Sequence, residues 1–70
     1  MKRNDIMRHL QELKCKGAFE NCNDGPTSMH TKLQQGNNTI NVVINQDCDV
    51  ITAHLGRIVK RKYKFSLNEL

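Results

Sequence analysis

A hydroxyl, an imidazole and an ammonium occupy alternate positions in Thr27-Ser28-Met29-His30-Thr31-Lys32-Leu33. Side chains of an extended strand point to opposite faces in turn, so Ser28, His30 and Lys32 would share one surface and Met29, Thr31 and Leu33 the other. A neutral imidazole, with an ordinary pKa of about 6.5, can accept a proton from a hydroxyl near neutrality. An ammonium two residues away can offset charge on phosphate oxygens. The serine can hold such an oxygen or orient the ring. Together the three groups suit the binding of a phosphodiester and the movement of its protons. Each also has a plainer role: His30 as a polar residue on an exposed strand, Lys32 as a solubilising or edge-protecting lysine.

The elements that would position these groups follow from periodicity. Asn4 can cap a helix in which Ile6, Leu10 and Leu13 form the apolar stripe and Arg3, Arg8 and Lys14 turn outward, with Gly17 as its stop. His9 falls among the polar residues of that helix, where water would solvate it. A short strand over 18–21 and a loop through Asn23-Asp24-Gly25-Pro26 would lead into the Ser28 strand. Residues 38–45 alternate, with Ile40, Val42 and Ile44 on one face and Asn41, Val43 and Asn45 on the other. Gln35-Gly36-Asn37-Asn38 is a turn that would join the two runs into an antiparallel hairpin.

Towards the other end, Leu55, Ile58 and Val59, with Lys62 or Tyr63, give a second apolar stripe at helical spacing, with Asp49 or Thr52 as cap. Arg57, Lys60, Arg61 and Lys64 would flank it, and His54 would lie in its first turn, as a plain surface histidine or, through a neutral ring, as a phosphate contact at the positive end of the dipole. Ser66-Leu67-Asn68-Glu69 fits a capping box for a last short turn, with Leu67 and Leu70 folding back on the core. The expected fold class is α+β: an α-β-β-β-α two-layer sandwich, with a three-stranded antiparallel sheet and two helices on one face. The opposite face, carrying Ser28, His30 and Lys32, would stay open to solvent.

Composition narrows the partners. The 70 residues carry a net charge of +4, unevenly spread: residues 1–17 sum to +3, residues 18–49 to −3 and residues 50–70 to +4. Basic ends can bind a polyanion, although basic helices also serve solubility alone. Aromatic residues are limited to Phe19, Tyr63 and Phe65, too few for a binder that works mainly by base stacking. Cys15, Cys22 and Cys48 form no Cys-x-x-Cys pair and match no zinc spacing, so reduced thiols, no metal and no cofactor are expected. No apolar run approaches the roughly 20 residues that cross a bilayer. A soluble, cytoplasmic protein of one domain, residues 1–70, is the expectation.

Four segments resemble the HicA toxins, small bacterial ribonucleases with a double-stranded-RNA-binding-like fold. Met1-Lys2-Arg3-Asn4-Asp5-Ile6-Met7-Arg8-His9-Leu10-Gln11-Glu12-Leu13 is similar to that family's first helix. Ser28-Met29-His30-Thr31-Lys32-Leu33 is similar to the strand bearing its histidine. Residues 43–65 run without a gap against its last strand, loop and helix, and residues 66–70 against its closing segment. Ile44 and Gln46 stand where the family's third strand has the proline and histidine of a Val-Pro-x-His pattern.

The resemblance implies a type II toxin that cleaves messenger RNA and is neutralised by a HicB-type antitoxin protein. His30 would be the catalytic base or acid, without a metal. Ser28, Lys32, Arg57, Lys60 and Arg61 would bind RNA. Two other classes fit the same residues: a catalytically inactive nucleic-acid-binding module, and a small protein-interaction inhibitor, phage-encoded or otherwise.

Overall fold

A computed structural model describes residues 2–19, 27–55 and 61–70. Helix α1 (Arg3–Cys15) precedes strands β1 (Thr27–Gln35), β2 (Asn38–Asp47), β3 (Val50–Leu55) and β4 (Lys62–Ser66), and a 3-10 turn, Leu67–Glu69, follows. The strands form one antiparallel sheet in the order β1-β2-β3-β4. The fold class is α+β.

Local chemistry accounts for most of these boundaries. Helix α1 starts two residues earlier than an Asn4 cap would place it: Lys2 is the N-cap residue, and its backbone N–H donates to Asp5 Oδ2 at 3.2 Å. The carboxylate in the first turn satisfies a backbone donor that the helix leaves unpaired. Gly17 takes φ +84° just beyond the helix, and the N–H of Ala18 returns to the carbonyl of Leu13. The β1–β2 turn needs the left-handed region as well. Gly36 has φ +60° there, as primed two-residue hairpin turns require. The Ser66–Glu69 capping box forms as the sequence predicts, with Asn68 N–H donating to Ser66 Oγ at 3.2 Å and Ser66 N–H to Glu69 Oε2 at 2.7 Å.

One expected element is replaced. The stripe read as a second helix is flanked and partly overlapped by strands β3 and β4, so the described residues form one helix on four strands, where two helices on three were expected; residues 56–60 lie outside the described residues. Val50, Ile51 and Thr52 are consecutive β-branched residues, which lose side-chain freedom in a helix and fit a pleated surface. Ile51, Ala53 and Leu55 alternate, as do Tyr63 and Phe65. Pairing sets Ile51 opposite Phe65 and Ala53 opposite Tyr63, so both sets reach the core from one face. The turn between β2 and β3 holds Cys48 at φ 55°, a left-handed conformation that costs a non-glycine residue about 1–2 kcal/mol. Of the strand expected over 18–21, Ala18 and Phe19 lie outside any strand, and Phe19 enters the core; residues 20 and 21, like the loop at 23–26, lie outside the described residues.

The core lies between α1 and one face of the sheet. Ile6 and Leu10 from the helix meet Val42, Ile44, Ile51, Ala53, Leu55, Phe65 and Phe19. Leu67 and Leu70 pack against this cluster, as the closing segment was expected to do. Arg3 joins the two ends of the described chain: its Nη2 donates to the Lys64 carbonyl at 3.0 Å and to Glu69 Oε1 at 3.1 Å, and its guanidinium lies 4.3 Å from the centre of the Phe65 ring. The Ser66 backbone N–H, and then Arg3, hold the Glu69 carboxyl below its usual pKa. Among the described residues, no helix is long and apolar enough to cross a membrane.

Candidate nucleic-acid interface

Alternation along four paired strands builds the face opposite the core. Ser28, His30 and Lys32 of β1 are exposed, as expected from their spacing, while Met29, Thr31 and Leu33 are half-buried on the helix side. Asn41, Val43 and Asn45 continue the outer face on β2, Thr52 and His54 on β3, and Lys62 and Lys64 on β4.

Register brings these residues into rows across the sheet. His30 pairs with Val43, Val43 with His54, and His54 with Lys62. The neighbouring row reads Ser28, Asn45, Thr52 and Lys64. Adjacent strands lie about 4.8 Å apart, so the backbones of His30 and His54 are separated by roughly 9.6 Å with only Val43 between them. Neither row contains a carboxylate. Lys32 at one edge, and Lys62 and Lys64 at the other, place cations on both sides of the imidazoles. The side chains of His30, Lys32, Lys62 and Lys64 have no hydrogen-bond or ion-pair partner among the described residues.

His54 differs from its expected setting. It is a half-buried strand residue, so no helix dipole acts on it. Its Nδ1 is buried without a hydrogen-bond partner among the described residues. The remaining ring nitrogen, Nε2, is the one that a ligand on this face can reach.

The other predicted contacts are distributed unevenly. Arg61 is exposed, and its carbonyl accepts a hydrogen bond from Leu55 N–H at 3.3 Å at the start of β4. Arg57 and Lys60 lie outside the described residues. Gln46, the counterpart of the family histidine in the resemblance, is buried on the core side, where Nε2 donates to the Cys48 carbonyl at 3.3 Å. It cannot serve the open face. Lys62 and Lys64, together with Thr52 and Asn45, were not among the expected binding residues. The period of two in 50–55 and 62–66 is the signal that points to them.

The third histidine belongs to the helix side. Instead of being freely solvated, His9 is half-buried against β1, and its Nε2 lies 3.3 Å from Thr31 Oγ1. Burial lowers its pKa; Glu12 opposes that shift and Lys16 reinforces it. The sign of the linkage follows. The unfolded chain binds a proton on His9 at higher pH than the folded one, so this contribution is full above about pH 6.5 and is lost as pH falls through the lowered folded value. Thermal melts of the wild type and His9→Gln should therefore lie further apart at pH 7.5 than at pH 5. A separation independent of pH would remove His9 from the linkage.

The described residues contain no group of three or more His, Cys, Asp or Glu side chains arranged to hold a metal ion. Cys15 and Cys48 are exposed and form no disulfide. No protein-family model, curated protein or solved structure matches the chain.

Proposed function

We propose that the open sheet face binds RNA through its phosphodiester backbone, and that His30 drives metal-independent cleavage there, in a toxin restrained by a HicB-type antitoxin protein. The observation that carries this reading is the row His30–Val43–His54–Lys62, two imidazoles and an ammonium on one exposed surface between lysine-bearing edges. The toxin and antitoxin roles rest on the sequence resemblance. Helix α1 and strand β1 agree in element type with its first two segments; in its third, where the resemblance implies a helix, the described residues 50–55 and 62–65 are strand.

The chemistry needs only what RNA itself supplies. His30 takes the proton of a ribose 2′-hydroxyl, the 2′-oxygen bonds to phosphorus, and the bond from phosphorus to the 5′-oxygen breaks with its electron pair on oxygen. Water protonates the departing oxygen, leaving a 2′,3′-cyclic phosphate and a 5′-hydroxyl. Lys32 offsets charge on the non-bridging oxygens, and Ser28 can hold one of them. Tyr63 and Phe65 point to the core side, so the strand residues of the open face offer no aromatic platform for bases. Recognition through phosphates alone carries little sequence information.

Titrating a labelled single-stranded RNA at several salt concentrations tests the binding. Affinity should fall linearly on a logarithmic salt scale, with a slope of about −0.7 per phosphate contact. Replacing Lys62 and Lys64 together by Gln should weaken binding to all sequences and flatten the slope by about 1.4. An unchanged slope would take the sheet face out of RNA binding. Binding without cleavage would leave the inactive nucleic-acid-binding module in place of the ribonuclease.

A further inference from the structure

We propose that His54 is a second substrate-contacting residue of this face: its Nε2–H donates to a non-bridging phosphate oxygen and holds the phosphodiester across Val43, opposite His30. The assignment rests on the RNA-cleaving reading above and moves His54 from the helix start where the sequence set it into the cross-strand row of His30.

Three observations lead to it. First, His30 and His54 lie in the same cross-strand row, two strands apart. A nucleophilic oxygen about 3–3.5 Å from phosphorus, a P–O bond of about 1.5 Å and a hydrogen bond of about 3 Å at each end span at most roughly 11 Å from one ring nitrogen to the other, and less when the path bends. The backbones of the two histidines, roughly 9.6 Å apart, set the rings at a separation of that order when both side chains stand upright on the sheet. Second, Val43 between them is a short apolar floor that can neither compete for the phosphate nor exchange protons with it.

Third, the buried and unpartnered Nδ1 of His54 decides which form the ring takes. A hydrogen on that nitrogen would be a buried donor without a partner, which is unfavourable. The neutral tautomer leaves Nδ1 bare and carries its hydrogen on Nε2, facing the surface. His54 then acts as a hydrogen-bond donor to the phosphate. The charged and titratable groups placed around it agree with an anion as ligand: Lys62 directly opposite on β4, Lys64 in the next row, Arg61 beside the start of β4, and His30 and Lys32 on β1. The carboxylate Asp47 lies at the far end of β2, opposite Val50.

Two variants of the full chain test the assignment on one uniform RNA: His54→Leu, which removes the donor, and His54→Gln, whose amide N–H can replace Nε2–H without titrating. Melting curves establish that each is folded. The expected result is that His54→Leu lowers kcat/KM by about 10²-fold. His54→Gln should recover most of that loss and keep the wild-type pH profile, because the amide N–H supplies the same hydrogen bond.

If wild type cleaves, His30→Ala does not, and folded His54→Leu matches wild type, the proposal is overturned and the ribonuclease reading survives. A His54→Gln variant as inactive as His54→Leu, with one limb of the pH profile missing, overturns it too, because His54 would then be an acid or base. If wild type does not cleave at all, the proposal and the ribonuclease reading fall together.

Discussion

Replacing His30 with alanine should reduce RNA cleavage by about 10²–10⁴-fold, the usual contribution of a positioned general base. The fold should hardly notice. His30 is exposed on β1 and has no side-chain partner among the described residues, and surface substitutions of that kind stay within about 0.5 kcal/mol. RNA affinity should change little, because the lysines at both edges carry the phosphate contacts. The measurement is single-turnover cleavage of a labelled RNA beside a melting curve and a binding isotherm for the same preparation. In cells, induced wild type should arrest growth with loss of messenger RNA, and His30→Ala should do neither. Equal cleavage by folded wild type and His30→Ala would sink the catalytic assignment. Loss of cleavage together with loss of binding would move His30 from proton transfer to ligand retention.

The second large effect is on stability. Phe65→Ala should cost about 3–5 kcal/mol, the range for emptying a buried aromatic position. Phe65 is only 2% exposed and pairs across strands with Ile51, itself fully buried. Its ring also lies under the Arg3 guanidinium, which fastens the start of α1 to the closing segment. A chain of this length has roughly 4–10 kcal/mol of total stability at typical values per residue. The substitution therefore removes a large share of it, and cooperative unfolding in urea should shift to far lower denaturant or vanish. The Arg3–Glu69 ion pair, 44% and 40% exposed at its side chains, should contribute far less, so Glu69→Gln is the control expected to leave the midpoint nearly unchanged. A loss under 1 kcal/mol for Phe65→Ala would contradict the placement of β4 over the core.

The two effects depend on opposite faces of one sheet. Core residues at Ile51, Ala53, Leu55, Tyr63 and Phe65 fix the register of β3 and β4. A slip by one residue would carry His54 and Lys62 into the core and bring apolar residues out to the surface. The energetic penalty for that slip is what holds the outer row in line, so the stability of one face positions the chemistry of the other.

What the sequence by itself determined is local. The 3.6-residue stripe of Ile6, Leu10 and Leu13, the glycine turn at Gly36, the alternation in β1 and β2, and the Ser66–Glu69 capping box each depend on neighbours within a few positions. Each could be read from spacing alone, and so could the shared face of Ser28, His30 and Lys32. The segment from Val50 to Ser66 was ambiguous, because Leu55, Ile58 and Val59 satisfy a helical period while Ile51, Ala53 and Leu55 satisfy a strand period. Tertiary pairing decided for strands in the described parts: Ile51 and Phe65 are 14 positions apart, yet directly opposite in the sheet. The same long-range register set His54 in line with His30, 24 positions away, through Val43. Sequence spacing governs which side chains share a face; only the pairing of strands decides which of those faces meet, because cross-strand contacts join residues that no local period connects.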